Sequence, residues 1–176
     1  MDIQFILSQV FGFIAWLLLV ISYFRESTNK ILAVHIIASI FCALHYFFLG
    51  AYSGLFICSF EVLRDYAYFK TDPKADKYIF MSTIPIYIIY AAFTYTDIYG
   101  ILPLVACLLD GWSLTKYRKT VIICAIIGYS LWVIYNIHYM SYVGILSDGL
   151  VVIANVIALF KKDIFKEDKL ESIFNK

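Results

Sequence analysis

The sequence predicts an all-α polytopic membrane protein with about seven transmembrane helices, arranged as two parallel three-helix repeats joined by a linker helix. Composition, the lengths of the apolar runs, and the one-sided placement of Lys and Arg lead to this prediction. Of the 176 residues, 62% are hydrophobic and only 15% are charged. A water-soluble domain of this size could not bury so much apolar surface, so lipid must be the main solvent.

Composition also excludes several classes of protein. The formal net charge is only +1 and the charges gather in short clusters, which argues against a nucleic-acid-binding surface. The four cysteines and three histidines have no metal-ligand spacing, so no metal or cofactor is predicted. The cysteines are interpreted as small packing residues. No Lys or Arg precedes Arg25, so the first apolar run lacks the basic start of a signal peptide and should remain as a span.

Seven apolar stretches are long enough to cross the hydrocarbon as helices, which takes roughly 17 to 25 residues. Loops with charged residues or turn signals separate them. The predicted spans are Phe5 to Tyr23, Ile31 to Phe48, Tyr52 to Phe69, Tyr78 to Tyr95, Ile98 to Leu114, Val121 to Ile137, and Tyr142 to Phe160.

Lys and Arg residues predict the orientation, because they are retained on the cytoplasmic side of a membrane. With seven spans, every basic residue falls on one side, which places the N-terminus outside and the C-terminus in the cytoplasm. Six or eight spans would break that alternation. The basic residues after span one, around the end of span three and after span five are Arg25, Lys30, Arg64, Lys70, Lys74, Lys77, Lys116, Arg118 and Lys119.

An internal repeat is predicted because the loop pattern around spans one to three returns around spans five to seven. At an offset of about 88 positions, the alignment sets Glu61 opposite Asp148 and Tyr68 opposite Asn155. Two three-span units separated by one span must run in the same direction. The predicted domains are a first bundle (1–70), a loop and linker helix (71–97), a second bundle (98–161) and a cytoplasmic tail (162–176).

Several short motifs resemble the YgjV-type family of bacterial inner membrane proteins. They are Gly12, the His45-Tyr-Phe-Phe-Leu-Gly50 segment, Gly54 with Glu61 and Arg64, Trp132-Val-Ile-Tyr-Asn136, and Gly144 with Asp148 and Asn155. The family is similar to SWEET sugar facilitators and PnuC vitamin transporters in its seven-helix plan. That resemblance implies the inner membrane as location, and two bundles around a central cavity faced by polar residues of spans three and seven. The chain departs from the PQ-loop pattern, since spans one and five contain no Pro-Gln pair.

Ionisable residues inside spans are the candidate functional residues, because each costs roughly 2.5 to 3.5 kcal/mol to insert. Glu61 is either a cavity carboxylate or the structural partner of Arg64, three positions later on the same helical face. Asp148 and Asn155 share a face of span seven and are candidates to line one wall of a cavity. The alternatives are interfacial hydration for Asp148 and helix–helix hydrogen bonding for Asn155.

Span six contributes Trp132 and Asn136 on one face, which suits stacking and hydrogen bonding of a ring or sugar. Trp132 is alternatively a membrane-interface anchor. Asp110 and Trp112 lie near the cytoplasmic end of span five, where Lys116 can pair with Asp110. Arg64, Asp110, Trp112 and Pro103 are therefore assigned structural or gating roles, Pro103 as the site of a kink.

These features predict a small-molecule transporter or facilitator with its site between the repeats, without identifying the substrate. The resemblance to SWEET and PnuC transporters implies a vitamin-, nucleoside- or sugar-like one. A non-transporting membrane sensor or scaffold is the alternative. No HExxH motif and no paired His/Asp set is found, so no enzymatic activity is predicted. The expected partners are the lipid bilayer and a small-molecule ligand, with a homo-oligomer as an option and no nucleic acid.

The orientation can be tested by labelling single cysteines engineered into a cysteine-free background. We expect a cysteine in the 116–119 loop to react only from the cytoplasmic side, and one in the 138–141 turn only from outside, because the basic residues set the orientation. Labelling of the 138–141 turn from the cytoplasmic side alone would show the topology to be inverted.

Overall fold

A computed structural model describes residues 2–22, 28–71, 76–94, 98–113 and 118–160. Within these ranges the chain forms seven α-helices and one short 3-10 helix, Ile98–Gly100, which leads into the fifth helix. The helices are α1 (Ile3–Ser22), α2 (Thr28–Leu49), α3 (Tyr52–Lys70), α4 (Asp76–Thr94), α5 (Ile101–Ser113), α6 (Arg118–His138) and α7 (Tyr142–Phe160).

The helices confirm the prediction of an all-α, multi-span membrane protein. Segments of α1, α2, α6 and α7 are long and apolar enough to cross a bilayer. The third helix has 19 residues, but Glu61, Arg64 and Asp65 lower its hydropathy. The apolar segment of α4 is shorter, at Tyr78–Tyr90. So is the apolar segment that runs from the 3-10 helix into α5, at Ile98–Asp110. The predicted tail at 162–176 lies outside the described residues.

Consecutive helices pack into two groups, α1–α2–α3 and α5–α6–α7, each with its neighbours in sequence. The groups meet where α1 contacts α7 and where α3 contacts α5. At the α1–α7 contact, the Gln9 side-chain oxygen accepts a hydrogen bond from the Val143 backbone amide at 3.2 Å. That amide lies in the first turn of α7, where no carbonyl of the same helix can reach it.

The fourth helix packs against α3 and α5 through aromatic side chains. Phe56 of α3 stacks on Tyr90 of α4 with ring centroids 4.0 Å apart, and Phe60 meets Tyr87 edge to face at 5.2 Å. Buried Leu104 of α5 completes this apolar cluster. Aromatic burial therefore holds α4 beside the place where the two groups meet.

Two tight turns of the same design end α2 and α6. Gly50 and Met140 both have positive φ, at 70° and 55°. The next amides, of Ala51 and Ser141, donate to the carbonyls of Tyr46 and Asn136 at 3.0 and 2.9 Å. Such left-handed caps satisfy the last carbonyls of a helix. We define the end of the molecule that carries both turns as the turn end.

The turns give a different register from the one predicted for the repeat. Tyr46 and Asn136 occupy the same place relative to their turns and are 90 positions apart. Aligned in this way, Asp148 falls opposite Cys58 and not opposite Glu61. The repeat itself stays a prediction.

Pro103 is fully buried and is the third residue of α5. In the first turn of a helix a backbone N–H has no intrahelical acceptor, so proline fits there without breaking the ladder. Pro103 therefore need not bend α5, and the predicted kink stays a prediction. Pro85, in contrast, lies inside α4.

Gly144 allows α7 to approach the end of α6 closely. A Cβ at this position would lie 2.5 Å from the side-chain carbon Cγ of Asn136, whereas a Cβ at Gly149 of the same helix would meet nothing within 4 Å. The packing at Gly144 therefore depends on the missing side chain.

We expect Gly144→Ala to lower the free energy of unfolding by about 1 to 3 kcal/mol, because overpacking forces neighbouring atoms to move. Thermal unfolding of the purified protein in detergent measures the effect, and Gly149→Ala is the matched control on the same helix. Equal stability of the two variants would contradict the close packing of α7 against Asn136.

Candidate functional site

A cavity of about 230 Å³ lies among the helices, lined by residues of α1, α2, α3, α5, α6 and α7. Its wall combines apolar side chains with a cluster of ionisable ones. The acidic and basic side chains that line it are His35, Glu61, Arg64, Asp65, Asp110 and Asp148. The large aromatic ones are Tyr46, Tyr129 and Trp132. An apolar concave site with a few polar groups is the usual form of a small-molecule site.

The cavity brings together several of the residues predicted from the sequence. Glu61 and Asp148 both line it, together with Arg64, Asp110 and Trp132. Asn136 is fully buried directly behind Asp148.

Three other predicted residues lie away from the cavity wall. Asn155 donates a hydrogen bond to the Val151 carbonyl of its own helix at 2.9 Å. Trp112 is 47% exposed on α5, and Pro103 is buried in the packing of α5. Asn155 is therefore not among the described residues that line the cavity, and its side-chain amide bonds a backbone carbonyl instead.

Arg64 pairs with two carboxylates at the cavity wall. Its Nη2 atom lies 3.2 Å from Asp65 Oδ1 and 3.9 Å from Glu61 Oε1. The Nε atom also donates to Asp65 Oδ1, at 3.2 Å. Both sequence interpretations of Glu61 thus describe part of its environment, since it lines the cavity and lies at the outer limit of an ion pair. The closer partner of Arg64 is Asp65, which follows it directly in the sequence.

Asp148 ends a chain of hydrogen bonds that crosses from α2 to α7. The Tyr46 hydroxyl donates to the Asn136 side-chain oxygen at 3.0 Å. The Asn136 side-chain nitrogen then donates to Asp148 Oδ2 at 2.8 Å. Tyr46 and Asn136 are both buried, so the chain fixes one carboxylate oxygen from the protein side.

Aromatic rings form the wall beside this chain. Trp132 stacks on Tyr46 with centroids 5.7 Å apart and an interplanar angle of 24°. Tyr135 meets Trp132 edge to face at 5.6 Å. Trp132 therefore lies in the interior of the bundle at the cavity, and not at the lipid interface as an anchor.

Buried hydrogen bonds close the turn end of the molecule beyond the cavity. His45 Nδ1 donates to the Ser8 carbonyl at 2.6 Å, and its Nε2 bonds the Ser141 hydroxyl at 2.8 Å. His45 comes from α2 and Ser141 from the turn before α7. The bond therefore joins the two helix groups.

Tyr135 makes a second set of hydrogen bonds between the helix groups, from α6 to the first residues of α3 and the residue before it. Its hydroxyl accepts from the Gly54 amide at 2.8 Å and bonds the Ser53 hydroxyl at 2.7 Å. It also donates to the Ala51 carbonyl at 3.3 Å. The sequence analysis missed His45 and Tyr135 as interior polar residues, although both lie inside the quoted family motifs.

All four cysteines line the cavity, although the sequence suggested only a packing role. Cys42 and Cys58 have sulfur atoms 3.2 Å apart, and Cys107 donates a weak hydrogen bond to Glu61 Oε1 at 3.7 Å. They remain free thiols. Within the described part of the chain no three His, Cys, Asp or Glu residues are grouped to hold a metal ion. Lys116, the predicted partner of Asp110, lies outside the described residues.

The fold and the cavity together define the class of protein: an all-helical, polytopic membrane protein with a charged internal cavity. The profile of the Imp-YgjV family, described as a bacterial inner membrane protein, matches residues 6–164. The chain therefore belongs to the Imp-YgjV family, and the resemblance noted from its motifs is confirmed. No curated protein and no solved structure matches it.

The Tyr135 hydroxyl provides a test of the closed turn end. We expect Tyr135→Phe to cost about 1 to 3 kcal/mol in the free energy of unfolding, because it leaves buried groups at Ser53 and Gly54 without a partner. Chemical denaturation in detergent measures the loss. Tyr52→Phe, which removes the hydroxyl of a 68% exposed tyrosine, is the control. Equal unfolding free energies for both variants would mean that the Tyr135 bonds contribute no net stability.

Proposed function

We propose that this membrane protein is a transporter or facilitator of a small molecule, with the cavity as its binding site. The observation that carries the proposal is a cavity that holds ionisable side chains inside a bundle of apolar helices. Charged residues are rare within membrane-spanning segments and typically mark substrate or ion pathways. The volume of about 230 Å³ suits one small molecule, since drug-sized ligands occupy pockets of roughly 300 to 1,000 Å³.

The position of the cavity supports transport over a purely structural role. Tyr46, Trp132 and Asp148 lie at its end nearest the turn end, where buried hydrogen bonds join the helix groups. Arg64 and Asp110 lie towards the C-terminal ends of α3 and α5, and Asp110 is exposed. A site near mid-membrane, closed on one side and approached from the other, is the arrangement that alternating access requires.

The orientation and the repeat belong to the same proposal. With the N-terminus outside, the turn end faces the exterior and the Arg64 end faces the cytoplasm. The two groups of helices would then be parallel repeats, with α4 as linker and the cavity between them. We propose transport and not catalysis, because the sequence contains no HExxH motif and no paired His/Asp set.

Efflux from reconstituted vesicles tests the proposed function. Purified protein is placed in liposomes loaded with a defined mixture of vitamins, nucleosides, sugars and amines, and mass spectrometry follows what leaves. We expect at least one solute to leave faster than from protein-free vesicles. Ala125→Trp should abolish that efflux, because Ala125 lines the cavity and a large ring would fill it.

Ala154→Trp is the matched control, since it introduces the same ring at an exposed position of α7. It should leave the efflux unchanged. If no solute leaves faster than from empty vesicles, or if both tryptophan variants behave as the wild type, the cavity is not a transport site. A sensor or scaffold role would then be the better description.

A further inference from the structure

We infer that the cavity binds a small organic cation, with its ammonium group between the Asp148 carboxylate and the aromatic faces of Trp132 and Tyr46. This inference rests on the proposed function and specifies its substrate class. It differs from the vitamin-, nucleoside- or sugar-like substrate suggested by family resemblance, because it follows from the charge and the aromatic lining of the cavity.

The charges of the cavity wall are unbalanced. Of the residues that the structure describes, four carboxylates line it, from Glu61, Asp65, Asp110 and Asp148, against the one guanidinium of Arg64. Among the described residues, Arg64 lies within ion-pair distance of Asp65 and Glu61. Its charge is therefore already engaged at its own end of the cavity.

Asp148 has no cationic partner among the described residues. Its Oδ2 atom accepts from the neutral amide of Asn136, and no Lys or Arg described in the structure lies within 4.0 Å of it. A carboxylate within membrane-spanning helices is costly unless a positive charge compensates it. A ligand cation in the cavity would supply that charge.

The aromatic wall favours an organic cation over a metal ion. Trp132 and Tyr46 are stacked beside the hydrogen-bond chain that ends at Asp148. The faces of such rings attract ammonium groups within about 6 Å of the centroid, and tryptophan does so most strongly. Hydrated inorganic ions prefer clustered oxygen ligands, whereas the part of the wall at Trp132 and Tyr46 combines the Asp148 carboxylate with aromatic rings.

Thermal unfolding with matched probes tests the inference on the wild-type protein in an amine-free phosphate buffer. The probes are benzylamine, its neutral analogue benzyl alcohol and its anionic analogue benzoate, with choline chloride and sodium chloride compared at equal ionic strength. We expect benzylamine and choline to raise the unfolding temperature in a concentration-dependent manner, because ligand binding stabilises the folded state. Benzyl alcohol, benzoate and sodium should give no comparable shift.

Two variants locate the site. Asp148→Asn keeps an acceptor for Asn136 but removes the charge, so apparent affinity for benzylamine should fall at least tenfold. Asp2→Asn is the control, since Asp2 is exposed at the start of the chain and does not line the cavity. Trp132→Phe should weaken binding less than Asp148→Asn, because a smaller ring keeps part of the attraction.

Several results would overturn the inference. They are equal stabilisation by benzylamine and benzyl alcohol, equal stabilisation by sodium and choline, and full benzylamine response in a folded Asp148→Asn variant. The absence of any shift with the two amines would do the same. The wild-type comparison of amine with alcohol decides the matter even if Asp148→Asn does not fold.

Failure of the inference can be separated from failure of the proposed function. Efflux of a neutral or anionic solute that Ala125→Trp blocks, with no response to amines, would reject the cation and keep transport. Amine binding that depends on Asp148, with no efflux of any solute, would support the cation site and reject transport.

Discussion

The need to satisfy polar groups inside the protein governs the turn end. Groups buried in the packing cannot reach water, so the polar atoms in and beside the turns after α2 and α6 must find partners within the chain. The Tyr135 hydroxyl of α6 bonds Ser53 and Gly54 in the first turn of α3. His45 of α2 bonds Ser141, between α6 and α7. Each helix group thus completes the other. The two groups are joined at that end by buried polar bonds and not by apolar packing alone.

The two ends of the cavity wall differ in composition. At the turn end the small residues Gly54 and Gly144 let the helices approach closely. Arg64, Asp65 and Asp110, towards the C-terminal ends of α3 and α5, carry most of the charge of the wall, and Arg64 pairs there with Asp65.

Hydropathy and loop charge were sufficient to predict seven helices, since the lengths and breaks of apolar runs reflect the bilayer directly. The same reasoning singled out Glu61 and Asp148, because a charge in an apolar run is conspicuous. It missed Tyr135 and His45, since an aromatic or histidine in a span is common and reveals nothing about its partner. The matching turns after α2 and α6 could not be recognised from the sequence, because the positive φ of Met140 leaves no signal in a non-glycine residue.

Asp148 connects the turn end with the cavity. Its Oδ2 atom is held by Asn136, which in turn is held by Tyr46, so one oxygen serves the bonding between the helix groups. The carboxylate also lines the cavity, where its charge is uncompensated by any described Lys or Arg. A cation bound there would act on the same hydrogen-bond chain that ties α2 to α6 and α7. Asp148 therefore takes part both in the cavity wall and in the bonding between the helix groups. A ligand that binds this side chain can influence how the two groups pack together, because it changes a contact on which their packing depends.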